Sequence, residues 1–184
     1  MIECVRIHSY EAHSLVNGPG KRFVIWLKGC PFDCPGCFND EARSFIGGRY
    51  ISLHELEQRI VAADVHGVTL SGGEPFLQAH ELVPLMRKCG RRGMDRMIYT
   101  GFNFNDLKRD AVPGARELLK ETDLLLDGPY KKDIPPDGEW TGSGNQRVIA
   151  LSRAGMEMKR IRRTEWVEQE YIIDPEGQTV RTGI

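Results

Sequence analysis

The chain has 184 residues, a length that favours a single domain burying roughly 70% of its unfolded surface. Hydrophobic residues at 40% and charged residues at 28% are those of a globular protein, and 25 Lys plus Arg against 26 Asp plus Glu leaves −1, too weak a field to draw nucleic acid or an anionic membrane. Apolar runs such as Phe23–Leu27 are far too short to span a bilayer, and Met1-Ile2-Glu3-Cys4-Val5-Arg6 has no secretory pattern, so a cytoplasmic protein is expected.

In chain order, Val16-Asn17-Gly18-Pro19-Gly20 is a turn by composition. It leads into Phe23–Leu27, whose unbroken apolar run predicts a strand buried on both faces. A cysteine-rich loop follows, then Ser52-Leu53-His54-Glu55, a capping box opening a helix with apolar positions Leu53, Leu56, Ile60 and Val61. Val68–Leu70 is a second strand, ending in Ser71-Gly72-Gly73-Glu74-Pro75. A helix is expected over Leu77–Lys88, with Pro84 kinking or restarting it. Arg96–Thr100 is a third strand, Asn105–Glu121 holds one or two helices broken at Pro113-Gly114, and Leu124–Leu126 is a fourth strand stopped by Asp127-Gly128-Pro129. Strand alternating with helix predicts parallel β-α units with ligands at the strands' carboxyl ends. The unusual residues fall at four such ends in succession. Beyond a polar loop from Lys131 to Gln146, Arg147–Leu151 reads as one more strand, Arg153–Arg163 as a solvated basic helix face or a docking surface, and Trp166–Ile173 with Gln178–Thr182 as a hairpin.

The five cysteines locate the chemistry. An odd number in a chain expected to stay inside the cell argues against a disulfide framework. Cys30, Cys34 and Cys37 stand together, whereas Cys4 and Cys89 stand alone and read as small core side chains. Three thiolates can hold three corners of an iron–sulfur cube and leave one iron open, where an electron-carrying cluster is closed by four. The rival is zinc held by the triplet and a histidine, which the spacing disfavours because no second cysteine knuckle exists.

This C-x3-C-x2-C run is the motif of the radical S-adenosylmethionine (SAM) superfamily, and the chain resembles the activating enzymes of glycyl-radical enzymes. Val16–Gly20, Gly29–Asn39, Ser71–Pro75, Tyr99–Phe102, Asp127-Gly128 and Trp140–Gln146 are similar to that family's motifs, in order, over about residues 13 to 150. The resemblance implies a [4Fe-4S] cluster on Cys30, Cys34 and Cys37, with SAM chelating the remaining iron through its amino and carboxylate groups. It implies SAM binding at Gly72, Gly73 and Glu74, the glycines letting the ligand reach the backbone and Glu74 accepting from the ammonium. Phe38 is expected near the cluster or adenine unless it is core, and Thr100 and Asp127 at SAM or a cation. Three positions depart from the pattern: Tyr99 replaces an acid found in some relatives, Pro129 stands where a lysine is usual, and Gly144 interrupts the closing run. Lys131, Lys132 and Arg147 are then the candidates for the SAM carboxylate.

The fold so implied is α/β, a shortened open parallel (β/α) partial barrel with a C-terminal β-hairpin extension. Residues 1–150 form the radical SAM core, and 151–184 an extension packed on the core or used for partner docking. The implied reaction is reductive cleavage of SAM to a 5′-deoxyadenosyl radical, which takes hydrogen from a glycine of a partner glycyl-radical enzyme. An anaerobic ribonucleotide reductase is the partner to which the likeness runs closest, with a flavodoxin-like or ferredoxin-like electron donor. No catalytic base or nucleophile is required, and no nucleic acid or membrane partner is expected. A radical SAM enzyme acting directly on a peptide or metabolite, and an iron–sulfur or zinc scaffold without turnover, are the alternatives.

Overall fold

The computed structural model describes residues 3–161, 169–173 and 179–183. Seven strands form one mixed sheet in the order β3-β1-β2-β4-β5-β6-β7: β1 (Cys4–Ser14), β2 (Arg22–Leu27), β3 (Arg49–Ser52), β4 (Gly67–Gly72), β5 (Asp95–Thr100), β6 (Leu124–Asp127) and β7 (Arg147–Ala150). The centre, β2-β4-β5-β6, is parallel as the alternation of strands and helices predicts. The flanks differ: β1 runs antiparallel to β2, β3 to β1, and β7 to β6. The sheet is thus parallel-rich, with a parallel centre and antiparallel edges.

Burial explains the centre. Every residue of β2 is buried, and the triple leucine of β6 serves both faces. Leu125 joins a large core beneath α2 (Leu53–Ala63), α3 (Ala79–Arg91) and α5 (Ala115–Lys120), while Leu124 and Leu126 pack with Met97, Trp140 and Met158 of α6 (Arg153–Arg160) on the opposite face. A fully buried leucine side chain contributes about 1.5–3 kcal/mol, so these two layers hold the sheet together. Arg22 is buried with them and ties the second-strand entrance down. It donates to Thr69 Oγ1, Pro19 O and Val68 O and pairs with Asp95.

Local expectations hold with adjustments. The Ser52 hydroxyl accepts from the Glu55 N–H and starts α2, but Val61 points outward while Ala63 takes the inner position. Pro84 does not restart the helix: a 3-10 turn over Pro75–Gln78 precedes α3, which runs on through the proline. Pro84 is the sixth residue of α3, and Leu82, Val83, Leu85 and Met86 around it are all buried, so packing offsets the one lost hydrogen bond. Cys89 is in the core as expected, whereas Cys4 on β1 is only half-buried. The short helices α1 (Asp40–Arg43) and α4 (Phe104–Lys108) cover the loops after β2 and β5. Beyond the sheet, β8 (Gln169–Ile173) and β9 (Thr179–Gly183) pair antiparallel; of the expected hairpin, residues 166–168 and 178 and the connection between its strands lie outside the described residues.

Candidate active site

The exits of β2, β4, β5 and β6 open on one cleft. Cys30, Cys34 and Cys37 line it together with Phe38, Gly72, Gly73 and Thr100. The three thiols are brought to one wall because the loop is fastened at its root. Gly29 N–H and Cys30 N–H donate to the carbonyls of Ala42 and Arg43 in α1, at 2.8 and 2.9 Å. Arg43 also pairs with Asp33 inside the loop and with Asp40. Burial pushes the Cys30 thiol up to about 11 and raises Cys37 in the same direction, so these thiols are protonated until a metal centre takes them. Cys89 is on the buried face of α3 and does not line the cleft, so it supplies no fourth sulfur.

The donor set fits a cluster bound by three sulfurs. Among the described residues no three His, Cys, Asp or Glu side chains converge as a single metal ion would require. A cube spreads its corner thiolates farther apart than one ion does, and the rest of the cleft, lined by backbone and neutral side chains, suits a polar small ligand. Phe38 is 48% exposed, its ring 4.9 Å from that of Tyr130, so it lies at the cleft wall rather than in the core.

The glycines prove to be demanded by the protein itself before any ligand. A Cβ on Gly73 would lie 2.3 Å from the Gly29 carbonyl oxygen, and one on Gly72, where φ is +92°, 2.6 Å from the Leu27 nitrogen. The Gly73 and Glu74 N–H groups donate to Leu27 O and Gly29 O, both at 2.8 Å. The β4 exit is thus zipped onto the root of the cysteine loop, and only residues without a side chain allow that approach.

Glu74 and Asp127 are set back from the lining of the cleft. The buried Glu74 carboxylate accepts from Phe76 N–H at 3.0 Å, from Thr100 Oγ1 at 2.9 Å and from Gly101 N–H at 2.8 Å, splinting the β4 exit to the β5 exit. Burial drives its pKa up to about 7, although all three donors favour the ionised form. Thr100 does reach the cleft, its hydroxyl spanning Glu74 and the Phe102 N–H. Asp127 is fully buried against Arg147, whose Nε is 2.9 Å away, and accepts from Phe104 N–H at 2.7 Å. The carboxylate that needed a partner has one, and Arg147 is thereby occupied rather than held ready for an anionic ligand. Of the other two cations, Lys132 lays its stem along Gly36 of the cysteine loop.

Further cleft residues, all but Tyr130 inside the quoted motifs, were not singled out one by one. Asn17, Phe32, Ser71, Tyr130 and Gln146 all line it. Gln146 accepts from Gly142 N–H and donates to Gly128 O, while Asn145 donates to Pro129 O, so the Trp140–Gln146 run folds back and staples the β6 exit. The glycine at 144 is explained here too: a Cβ would sit 2.7 Å from Pro135 O. The run of turn-forming residues was the available signal, but its target is a backbone segment some fifteen residues away.

Comparison with known proteins places this site in a class. The model of the 4Fe-4S single cluster domain matches residues 16–149, and the chain belongs to that family, within the radical SAM activases of glycyl-radical enzymes. An anaerobic ribonucleoside-triphosphate reductase-activating protein of Enterobacteria phage T4 is 33% identical over 140 residues, covering 72% of this chain and 86% of that protein. One of the same description from Salmonella typhi is 29% identical over 158 residues and covered to 99%. The pyruvate formate-lyase 1-activating enzyme of Escherichia coli K12 is 35% identical over 154 residues, and the chain spans 61% of its length. QueE from Escherichia coli overlays on 53% of this chain with a TM-score of 0.45 at 20% identity.

Proposed function

We propose that this protein activates a glycyl-radical enzyme of the anaerobic ribonucleotide reductase type. The observation that carries the reading is the cleft wall: three cysteines without a fourth, facing the same space as Ser71–Gly73 and Thr100–Gly101. When bound there, a [4Fe-4S] cluster on Cys30, Cys34 and Cys37 supplies one electron that cleaves SAM to methionine and a 5′-deoxyadenosyl radical. The chain's own residues bind, orient and shield. Backbone groups of Ser71–Gly73 hold the methionyl end, Phe38 flanks the adenine or cluster, and Thr100 positions the β5 exit. Glu74 and Asp127 act one layer back, the first by joining the β4 and β5 exits and the second by anchoring Arg147.

The remaining partners follow from the same reading. A partner's glycine loop enters the open side of the cleft, and a flavodoxin-like or ferredoxin-like donor supplies the electron in the cytoplasm. Among the described residues no helix is long and apolar enough to cross a membrane. The core acts as a shortened, open partial barrel over residues 1–150, and the C-terminal segment serves as an extension packed on it, its β8/β9 ribbon taken as the hairpin. Two relatives whose names specify activation of anaerobic ribonucleoside-triphosphate reductase are covered to 86% and 99% of their length, which supports that partner over a formate-lyase. The test is anaerobic reconstitution with iron and sulfide, then dithionite and SAM. 5′-Deoxyadenosine should form, and with a reductase deuterated at glycine it should carry deuterium. A zinc-loaded or fully protein-coordinated centre indifferent to SAM would overturn the reading.

A further inference from the structure

One buried donor at the cysteine loop has no acceptor. Arg43, the last residue of α1, gives the two ends of its fork to carboxylates: Nη2 donates to Asp33 Oδ1, and Nη1 to Asp40 Oδ1 at 2.6 Å. Its third nitrogen, Nε, is buried and among the described residues has no hydrogen-bond partner. Asp33 lies between Cys30 and Cys34, and Asp40 three residues past Cys37, so the two ion pairs brace the guanidinium across the loop. The backbone repeats the tie, the Arg43 carbonyl accepting from Cys30 N–H at 2.9 Å.

Ion pairing alone does not account for this placement. The Asp33 and Asp40 side chains are 96% and 75% exposed, and pairs so open to water contribute little. The buried Nε–H, by contrast, gives up water and receives nothing in return, which is costly for a charged donor. Its surroundings supply a candidate acceptor. Arg43 and Cys30 line a second opening beside the loop, with Phe32, Asp40 and Ser44, and Cys30 lines the main cleft as well. The guanidinium also bears on another of the three thiols: burial raises Cys37, and the Arg43 charge opposes that rise.

The geometry points to Arg43 as a positioned hydrogen-bond donor to the cluster, its Nε–H held by the two aspartates toward a sulfur on the Cys30 side. The inference rests on the proposed [4Fe-4S] centre at Cys30, Cys34 and Cys37. A hydrogen bond to a cluster sulfur favours the more negative, reduced state and raises the reduction potential. Arg43 thus eases the one-electron step that precedes SAM cleavage.

Arg43→Lys is the discriminating variant. Its ammonium can still pair with an aspartate, but a methylene stands where Nε–H was. Arg59→Lys, on α2 and away from the cleft, is the control. The full-length protein is reconstituted with iron and sulfide and titrated without SAM. At a fixed potential the reduced-to-oxidised ratio should fall about tenfold in Arg43→Lys, a midpoint about 59 mV more negative for one electron, and stay unchanged in the control. Wild-type protein labelled with 15N-arginine gives a reading that does not depend on how the variant folds: pulsed EPR of the reduced cluster should show a 15N coupling. Where Arg43→Lys also loads, that coupling should vanish. A merely structural brace would lower the thermal midpoint of the cluster-free chain and leave the potential unmoved, which overturns the proposal. So does a wild-type cluster without the 15N coupling. If the wild-type chain takes up no reducible [4Fe-4S] centre, the cluster reading itself has failed and this proposal falls with it; a centre that forms but ignores Arg43 defeats the proposal alone.

Discussion

Two buried carboxylates end neighbouring parts of the same sheet, and they are handled in opposite ways. Asp127, at the β6 exit, meets a guanidinium, and Arg147 reaches it from the adjacent antiparallel strand. Glu74, past the β4 exit, meets among the described residues only neutral donors, from Phe76, Thr100 and Gly101. The first is an ion pair that closes the sheet edge. The second is a splint between two loops of the cleft, purchased with a carboxyl whose pKa burial lifts to about 7. Proximity to the cysteine loop separates them: Glu74 N–H is bonded to Gly29 O, one residue before Cys30. Damage at the β4 exit should therefore read out as a lost cluster, and damage at the β6 exit as lost stability with the cluster kept.

Gly73→Ala tests the first half and should have the largest effect. Its Cβ would meet Gly29 O at 2.3 Å, backbone against backbone, with no flexible side chain to yield. The cysteine loop must shift, and iron bound per chain and 5′-deoxyadenosine formation should each fall by more than about a hundredfold, as a misplaced site costs about that much. Bound iron and the thermal midpoint, measured together, check it; full iron loading would break the comparison.

Glu74 gives the next effect, visible as a pH dependence. Its folded pKa is raised from the ordinary 4.5 to about 7, so between these values the folded state holds a proton that the unfolded state has released. Its contribution is fully present below about pH 4.5 and is lost as pH rises through about 7, a change on the order of 3 kcal/mol. Urea midpoints at pH 5 and pH 8 should differ accordingly. Glu74→Gln should flatten that difference, although its NH2 will oppose one of the three donors and lower stability at both pH values.

Arg147→Met tests the other carboxylate. Removing the guanidinium leaves Asp127 buried, with the Phe104 N–H still donating to it. Breaking a wholly buried pair costs about 3–5 kcal/mol, and because Arg147 is 53% exposed the loss here should be nearer about 2 kcal/mol. Asp127→Asn on top of it should recover part of that. Cluster content should be unchanged in both, which is the point of difference from Gly73→Ala.

Which of these features the sequence revealed depends on how local their causes are. The runs Phe23–Leu27 and Leu124–Leu126 announce buried strands because burial on both faces leaves no polar position. The cysteine triplet is local as well. β1 is hard to read from the sequence: Val5 and Ile7 alternate as a strand should, but from His8 to Ala12 no residue is fully buried, and register shifts interrupt the pairing with β2. Asp127 was flagged because a carboxylate after three leucines needs a partner, yet nothing local says that Arg147 satisfies it. The donors that meet Glu74 at Thr100 and Gly101 come from the next strand's exit, and nothing near Glu74 in the sequence announces them. The Ser14 hydroxyl donates to Glu170, 156 residues away, and a spacing of that size has no sequence signature.

The smallest expected effect supplies the control for both exits. Ser52 caps α2, its hydroxyl accepting from Glu55 N–H at 3.1 Å, on a helix that lines no part of the cleft. Ser52→Ala leaves that donor to water, but Leu53 N–H still donates to Glu3 O at 3.0 Å, and Leu53, Leu56 and Ile60 still anchor the helix in the core. The cost should be about 1 kcal/mol, lowering the thermal midpoint by about 2–4 °C. Iron content, KM for SAM and the pH dependence set by Glu74 should all be unmoved. A cap variant that lost iron would mean that any loosening of the sheet empties the cysteine loop, and the contrast between the two carboxylates would then be one of degree.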